Sequence, residues 1–153
     1  KSYCTPEVYE GVTGRFYQNN GDGTFSERTS TAGFAGEPGK ALGVSEFDYN
    51  RDGWPDLVVA NDQRRNLLYT NNGNGTFTER GVLSGIAFNR HGRARAGMGI
   101  DTGVVDSTNE ETVFIGNFSR EMIGVFRHSG GGVFLDRAKL FRIGSPKFLS
   151  LTV

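Results

Sequence analysis

The segment RFYQNNGDGTFSER (15–28) returns as LLYTNNGNGTFTER (67–80), and again, in weaker form, as GVFRHSGGGVFLDR (124–137). Tyr17 recurs as Tyr69 and then as Phe126, Gly21 as Gly73 and Gly130, and Phe25 as Phe77 and Phe134. A long internal period constrains a fold strongly, because each unit must bury its apolar face against its own copies. Each copy reads as a short strand, a Gly/Asn-rich turn and a second short strand. Asn-Gly and Gly-Asn pairs supply the positive φ angles that hairpin turns need.

Between the copies lie ALGVSEFDYNRDGWPDLVVAND (41–62) and GMGIDTGVVDSTNEETVFIGNF (97–118). Gly43 aligns with Gly99, and DLVVAN (56–61) with TVFIGN (112–117). Each also reads as strand, loop, strand, and the apolar runs at 57–60 and 113–115 suit inner strands covered on both faces. One repeat is then about four strands over roughly fifty residues, the size of a β-propeller blade.

The expected fold is all-β, a partial β-propeller of four-stranded antiparallel blades. In this register residues 1–14 form a lead segment and 15–29 are the last two strands of a partial blade. Residues 41–81 and 97–138 are complete blades, and KFLSLTV (147–153) is the first strand of a following one. Closed propellers have at least about four blades. The register therefore points to a piece of a longer propeller, or to several copies that close a ring together.

DYNRDGWPD (48–56) falls between the first two strands of the first complete blade. Asp48, Asn50 and Asp52 alternate so that their side chains can converge on one point. Gly53 permits the bend, the Trp54 carbonyl adds an oxygen, and Asp56 closes the loop. Such an all-oxygen set suits Ca²⁺, and suits it better than Mg²⁺, which keeps more of its own water. The spacing begins like an EF-hand, but Val59 stands where the bidentate Glu is needed, and strand-like residues follow. In the next repeat Val104, Asp106, Thr108 and Thr112 take the places of Asp48, Asn50, Asp52 and Asp56, and that loop is expected to hold no tightly bound calcium.

DYNRDGWPDLVVAND followed by NLLYTNNGNGTFTERG resembles the FG-GAP/VCBS repeats of β-propellers, and most nearly the cartilage-acidic-protein-like branch that often carries an ASPIC/UnbV domain. The resemblance runs from about residue 15 to the end of the chain. It implies a secreted or surface-exposed propeller, commonly seven-bladed, with Ca²⁺ in inter-strand loops. By analogy with integrin α-subunit propellers, the calcium residues are Asp48, Asn50, Asp52 and Asp56. It implies binding and adhesion roles with no shared catalytic machinery. The literal Phe-Gly…Gly-Ala-Pro signature is not in this sequence, and no ASPIC/UnbV domain lies within it.

Composition narrows the alternatives. Seventeen basic and seventeen acidic residues cancel, so bulk charge draws no polyanion. No apolar run of about 18 residues exists to span a membrane, and the first residues lack a signal-peptide pattern. Cys4 is the single cysteine and supports no disulfide framework. The densest basic stretch, NRHGRARAG (89–97), makes Arg90, Arg93 and Arg95 a candidate anion or partner site, to which Arg64 and Arg65 could add charge. No aromatic residues interleave it as in nucleic-acid binders.

His91 and His128 are the two histidines, and neither has zinc-ligand spacing. No Gly-x-Ser-x-Gly elbow is present. NGT (74–76) and NFS (117–119) match the N-glycosylation pattern, but the first is explained by turn chemistry and both are read as chance. The recurring Phe16, Tyr17, Phe25, Phe77, Phe126 and Phe134 are expected to pack between sheets.

The expected function is a calcium-stabilised, non-catalytic module that binds a protein or carbohydrate ligand outside the cytoplasm, whether extracellular, periplasmic or at the cell surface. One alternative is a structural or assembly subunit pairing through open blade edges. The other is a propeller lyase or hydrolase.

Overall fold

The computed structural model describes residues 6–118, 121–141 and 143. Cys4, Ser119 of the NFS triplet and the segment 147–153 lie outside them. After a 3-10 turn at Pro6–Val8 the described residues form ten strands and no α-helix: β1 (Tyr17–Asn19), β2 (Phe25–Glu27), β3 (Ala41–Phe47), β4 (Asp56–Arg64), β5 (Leu67–Asn71), β6 (Phe77–Glu79), β7 (Arg95–Val104), β8 (Glu111–Asn117), β9 (Gly124–His128) and β10 (Phe134–Asp136).

All pairings are antiparallel. β1 and β2 make a hairpin; β3 to β6 pair in chain order, and so do β7 to β10. The two four-stranded units join where the end of β4 meets the start of β7, Asp62 opposite Ala96. This is the arrangement of successive blades in a partial β-propeller. In both blades the first pair carries a register shift at equivalent places, between Ala41 and Gly43 and between Gly97 and Gly99.

The hairpin turns are built by their own side chains. Asp22 accepts hydrogen bonds from the Thr24 N–H and hydroxyl at 2.9 and 2.6 Å, and Asn74 accepts them from Thr76 at 3.0 and 2.6 Å. Asn20 and Asn72 each donate to that threonine and accept from Ser26 and Thr78 in the facing strand. Two separate stretches of chain thus each build the same network, which accounts for the recurrence of the NNGxGT pattern.

Alternation along β4 divides the core. Val58 and Ala60 face Phe47, Leu68, Val113, Ile115, Phe126 and Phe134, a buried cluster shared with the second blade. Leu57 and Val59 face the other way, with Phe16, Ala32, Phe34, Tyr69 and Phe77. Phe16 stacks on Phe34 with ring centroids 4.7 Å apart. The repeated aromatics do not all pack as expected: Tyr17 and Phe25 are 49% and 63% exposed. They belong to the first hairpin, a two-stranded sheet of its own, whereas Phe126 and Phe134 lie in the buried cluster between the two blades.

A clasp ties each unit to the next. The Phe77 N–H donates to the Ala32 carbonyl at 2.8 Å, and the Phe134 N–H to the Ser84 carbonyl at 2.7 Å. The residues that follow those carbonyls, Gly33 and Gly85, are left-handed, with φ of 91° and 80°. A side chain at either would overlap the Phe77 or Phe134 carbonyl oxygen.

Candidate functional site

Antiparallel blades place the β3–β4 and β5–β6 connections at one edge, and the β4–β5 and β6–β7 connections at the other. The loop 48–55 and the basic stretch 89–95 therefore lie at opposite edges of the blades and do not form one site.

The loop's polar side chains first satisfy its own backbone. Asp48 accepts from the N–H groups of Asp52 at 3.1 Å and Gly53 at 2.9 Å; Asp52 accepts from the Trp54 N–H at 2.8 Å. Asn50 accepts from the Asp52 N–H and donates to the Asp52 carboxylate at 2.6 Å. Arg51 and Gly53 take left-handed backbone, with φ of 61° and 85°. Trp54 is half-exposed and leans over Gly73, so closely that a Cβ there would lie 2.8 Å from the indole nitrogen. The ring thus covers the neighbouring hairpin turn, and the residue's contribution to a cation would be its carbonyl alone.

Asp56 differs from the others. It is fully buried, and its two oxygens accept from the Tyr49 N–H at 2.8 Å and the Asn71 N–H at 2.6 Å. Burial pushes its carboxyl above the usual range; the two backbone donors oppose this, and the nearby Asp52 and Asp48 charges add to it. The donors fit a hard cation in chemistry: three carboxylates, an amide oxygen and a carbonyl, all oxygen. Among the described residues, however, no three His, Cys, Asp or Glu side chains are gathered tightly enough to hold a metal. Each oxygen of Asp48 and Asp52 accepts one hydrogen bond and so keeps a lone pair free for a cation, which would have to draw the carboxylates closer together.

The second loop keeps the bend and changes the chemistry. Asn109, which replaces Gly53, is also left-handed at φ 55°. Asp106 accepts from the Thr108 N–H at 3.0 Å, as Asn50 does from Asp52. Thr112 stands for Asp56, is fully buried, and its hydroxyl has no partner. Asp106 is gripped instead by Arg127 of β9. Spacing alone did not single out Arg127, because it lies two strands beyond the loop.

The basic patch is thinner than its sequence suggests. Arg90 and Arg93 are exposed, but Arg95 is spent: its guanidinium donates to Asp136 at 2.7 Å and to the Met122 carbonyl at 2.8 Å, with little exposure of either charged partner. The adjoining cleft is lined by Glu121 and Asp136 as well as by Arg90 and His91, so its charge is mixed. Arg65 is paired with Glu79 at 2.8 Å. His128 packs against Tyr49 and Phe134, its Nε2 lying 2.9 Å from the Tyr49 carbonyl. The Tyr49 hydroxyl donates to the Gly132 carbonyl. Both histidines thus have local packing or turn contacts, His91 through Arg90 and Asn89.

No helix among the described residues is long and apolar enough to cross a membrane. No curated protein matches the chain. The FG-GAP-like repeat family matches it twice, over residues 8–59 and 48–106, and both matches include the loop 48–56. With two blades built on one repeated pattern and most of the sequence covered, the chain belongs to the FG-GAP-like repeat family.

Proposed function

We propose that this chain is a non-catalytic binding module, a propeller segment stiffened by Ca²⁺ at Asp48, Asn50, Asp52, the Trp54 carbonyl and Asp56. Its setting is extracellular, periplasmic or at the cell surface, and it is of the cartilage-acidic-protein-like type. FG-GAP-like repeats in general serve as binding or structural modules, mediate protein interactions and typically occur in extracellular or surface proteins. The observation that carries the calcium reading is Asp56, a fully buried carboxylate whose charged neighbours are Asp48 and Asp52. Like charges so placed repel unless a cation sits among them.

The working surface is the edge that holds this loop, and the ligand is a protein or a carbohydrate. Half-exposed Trp54 and the polar loop beside it offer a stacking face next to hydrogen-bonding groups. The test is binding to a defined panel of extracellular proteins and glycans, with and without calcium. Binding that is lost on replacing the loop supports the module. Concentration-dependent oligomers, with no ligand bound, would favour the assembly subunit instead, since exposed strand edges template such pairing.

A further inference from the structure

We propose that Arg127 is the resident cation of the second blade's loop, its guanidinium standing where a loop of this shape would otherwise gather its oxygens around a metal. The two loops share a bend, left-handed at Gly53 and at Asn109, and share an Asx contact from the residue three places before it, Asn50 or Asp106, to the N–H two residues on. They differ in what neutralises them. From β9, Arg127 Nη1 lies 2.6 Å from Asp106 Oδ2, while Nη2 reaches Asp106 Oδ1 at 3.2 Å and the Thr108 hydroxyl at 2.9 Å. Glu110 adds a longer ion pair at 3.8 Å.

The guanidinium is thus bidentate on one carboxylate and touches three residues of one loop, a match of fork to acceptors that an ammonium cannot reproduce. Its side chain is 16% exposed, with the guanidinium over the Phe141 ring at 5.7 Å. Asp106 answers to this environment: the Thr108 hydroxyl, then Arg127, hold its carboxyl down at about 2. The first blade has no such device. The residue that matches Arg127 there is Thr70, whose hydroxyl turns to the Thr78 carbonyl, and Arg51 of that loop points out to Glu110.

The proposal stands on the second loop's contacts and does not depend on calcium in the first. Its test is thermal unfolding of the 153-residue chain as Arg127→Ala, Asp106→Asn, the double variant and Arg127→Lys. Each single variant lowers the melting temperature, and the double variant loses less than the sum, because both remove one interaction. Millimolar guanidinium chloride restores part of the loss in Arg127→Ala, whereas sodium chloride at equal ionic strength does not. Arg127→Lys, which keeps the charge and loses the fork, melts between wild type and Arg127→Ala. If Arg127→Ala does not fold, Arg127→Lys and Asp106→Asn are the milder pair, and they must again be less than additive. Additive losses, or equal rescue by sodium and guanidinium, overturn the proposal.

Discussion

The Glu111 carboxylate, at the start of β8, accepts a hydrogen bond from the Asp48 backbone N–H of the preceding blade at 3.1 Å. It holds the first residue of one loop from the first residue of the strand that follows the next loop, while the Asp48 carboxylate is left for its own turn. Groups that orient a ligand without touching the ion typically alter affinity by about 10–100-fold when removed. Glu111→Ala is expected to weaken Ca²⁺ binding about tenfold, as measured by calorimetry. Unchanged affinity would leave Glu111 as a link between blades only.

Chelation addresses the loop directly. With EGTA the wild-type chain is expected to unfold at a lower temperature than with Ca²⁺, since a ligand that binds only the folded state stabilises it. Asp52→Ala should unfold at one temperature in both conditions. A wild-type melt indifferent to calcium would sink the calcium reading.

The pair Arg95 and Asp136 is nearly buried, and Asp136 also accepts from the Val125 and Ala138 N–H groups. Removing one partner strands the other charge, at about 3–5 kcal/mol for buried pairs. Arg95→Ala should therefore lower the urea midpoint substantially, while Arg93→Ala, on the exposed side of the same stretch, changes it little. Equal effects would show that Arg95 is no more structural than its neighbour.

The clasp predicts a contrast among glycines. Gly33→Ala and Gly85→Ala combine a left-handed backbone with a Cβ driven into a neighbouring carbonyl oxygen, whereas Gly53→Ala meets open space. The last should cost about 1–2 kcal/mol, the ordinary penalty of left-handed backbone, and the first two clearly more. Denaturant titration of the three variants checks the order.

Acid should loosen the second loop. A carboxyl held in the folded state at about 2, below its ordinary 3.8, contributes stability that is complete above 3.8 and is lost as pH falls towards about 2. Asp106→Ala is expected to flatten that part of the stability profile. A variant whose acid limb superimposes on the wild type would exclude Asp106 as a contributor.

The hairpins and the all-β repeat were legible in the amino-acid order because their causes are local. The Asn20 and Asn72 networks close within six residues, and glycines at 21, 23, 73 and 75 supply the positive φ values on the spot. The candidate loop was legible on the same ground, through alternating oxygens and a glycine at the bend. Tertiary structure alone decided which charges meet. Arg127 reaches Asp106 from β9, the strand paired with β8, Arg95 turns from its basic neighbours to Asp136, Glu111 crosses to the Asp48 N–H, and Tyr17 and Phe25 lie open while their counterparts are covered. A strand's side chain meets whatever the next strand or the next blade brings opposite it. That depends on pairing register and on which sheet lies alongside, and neither is written in the residues nearby.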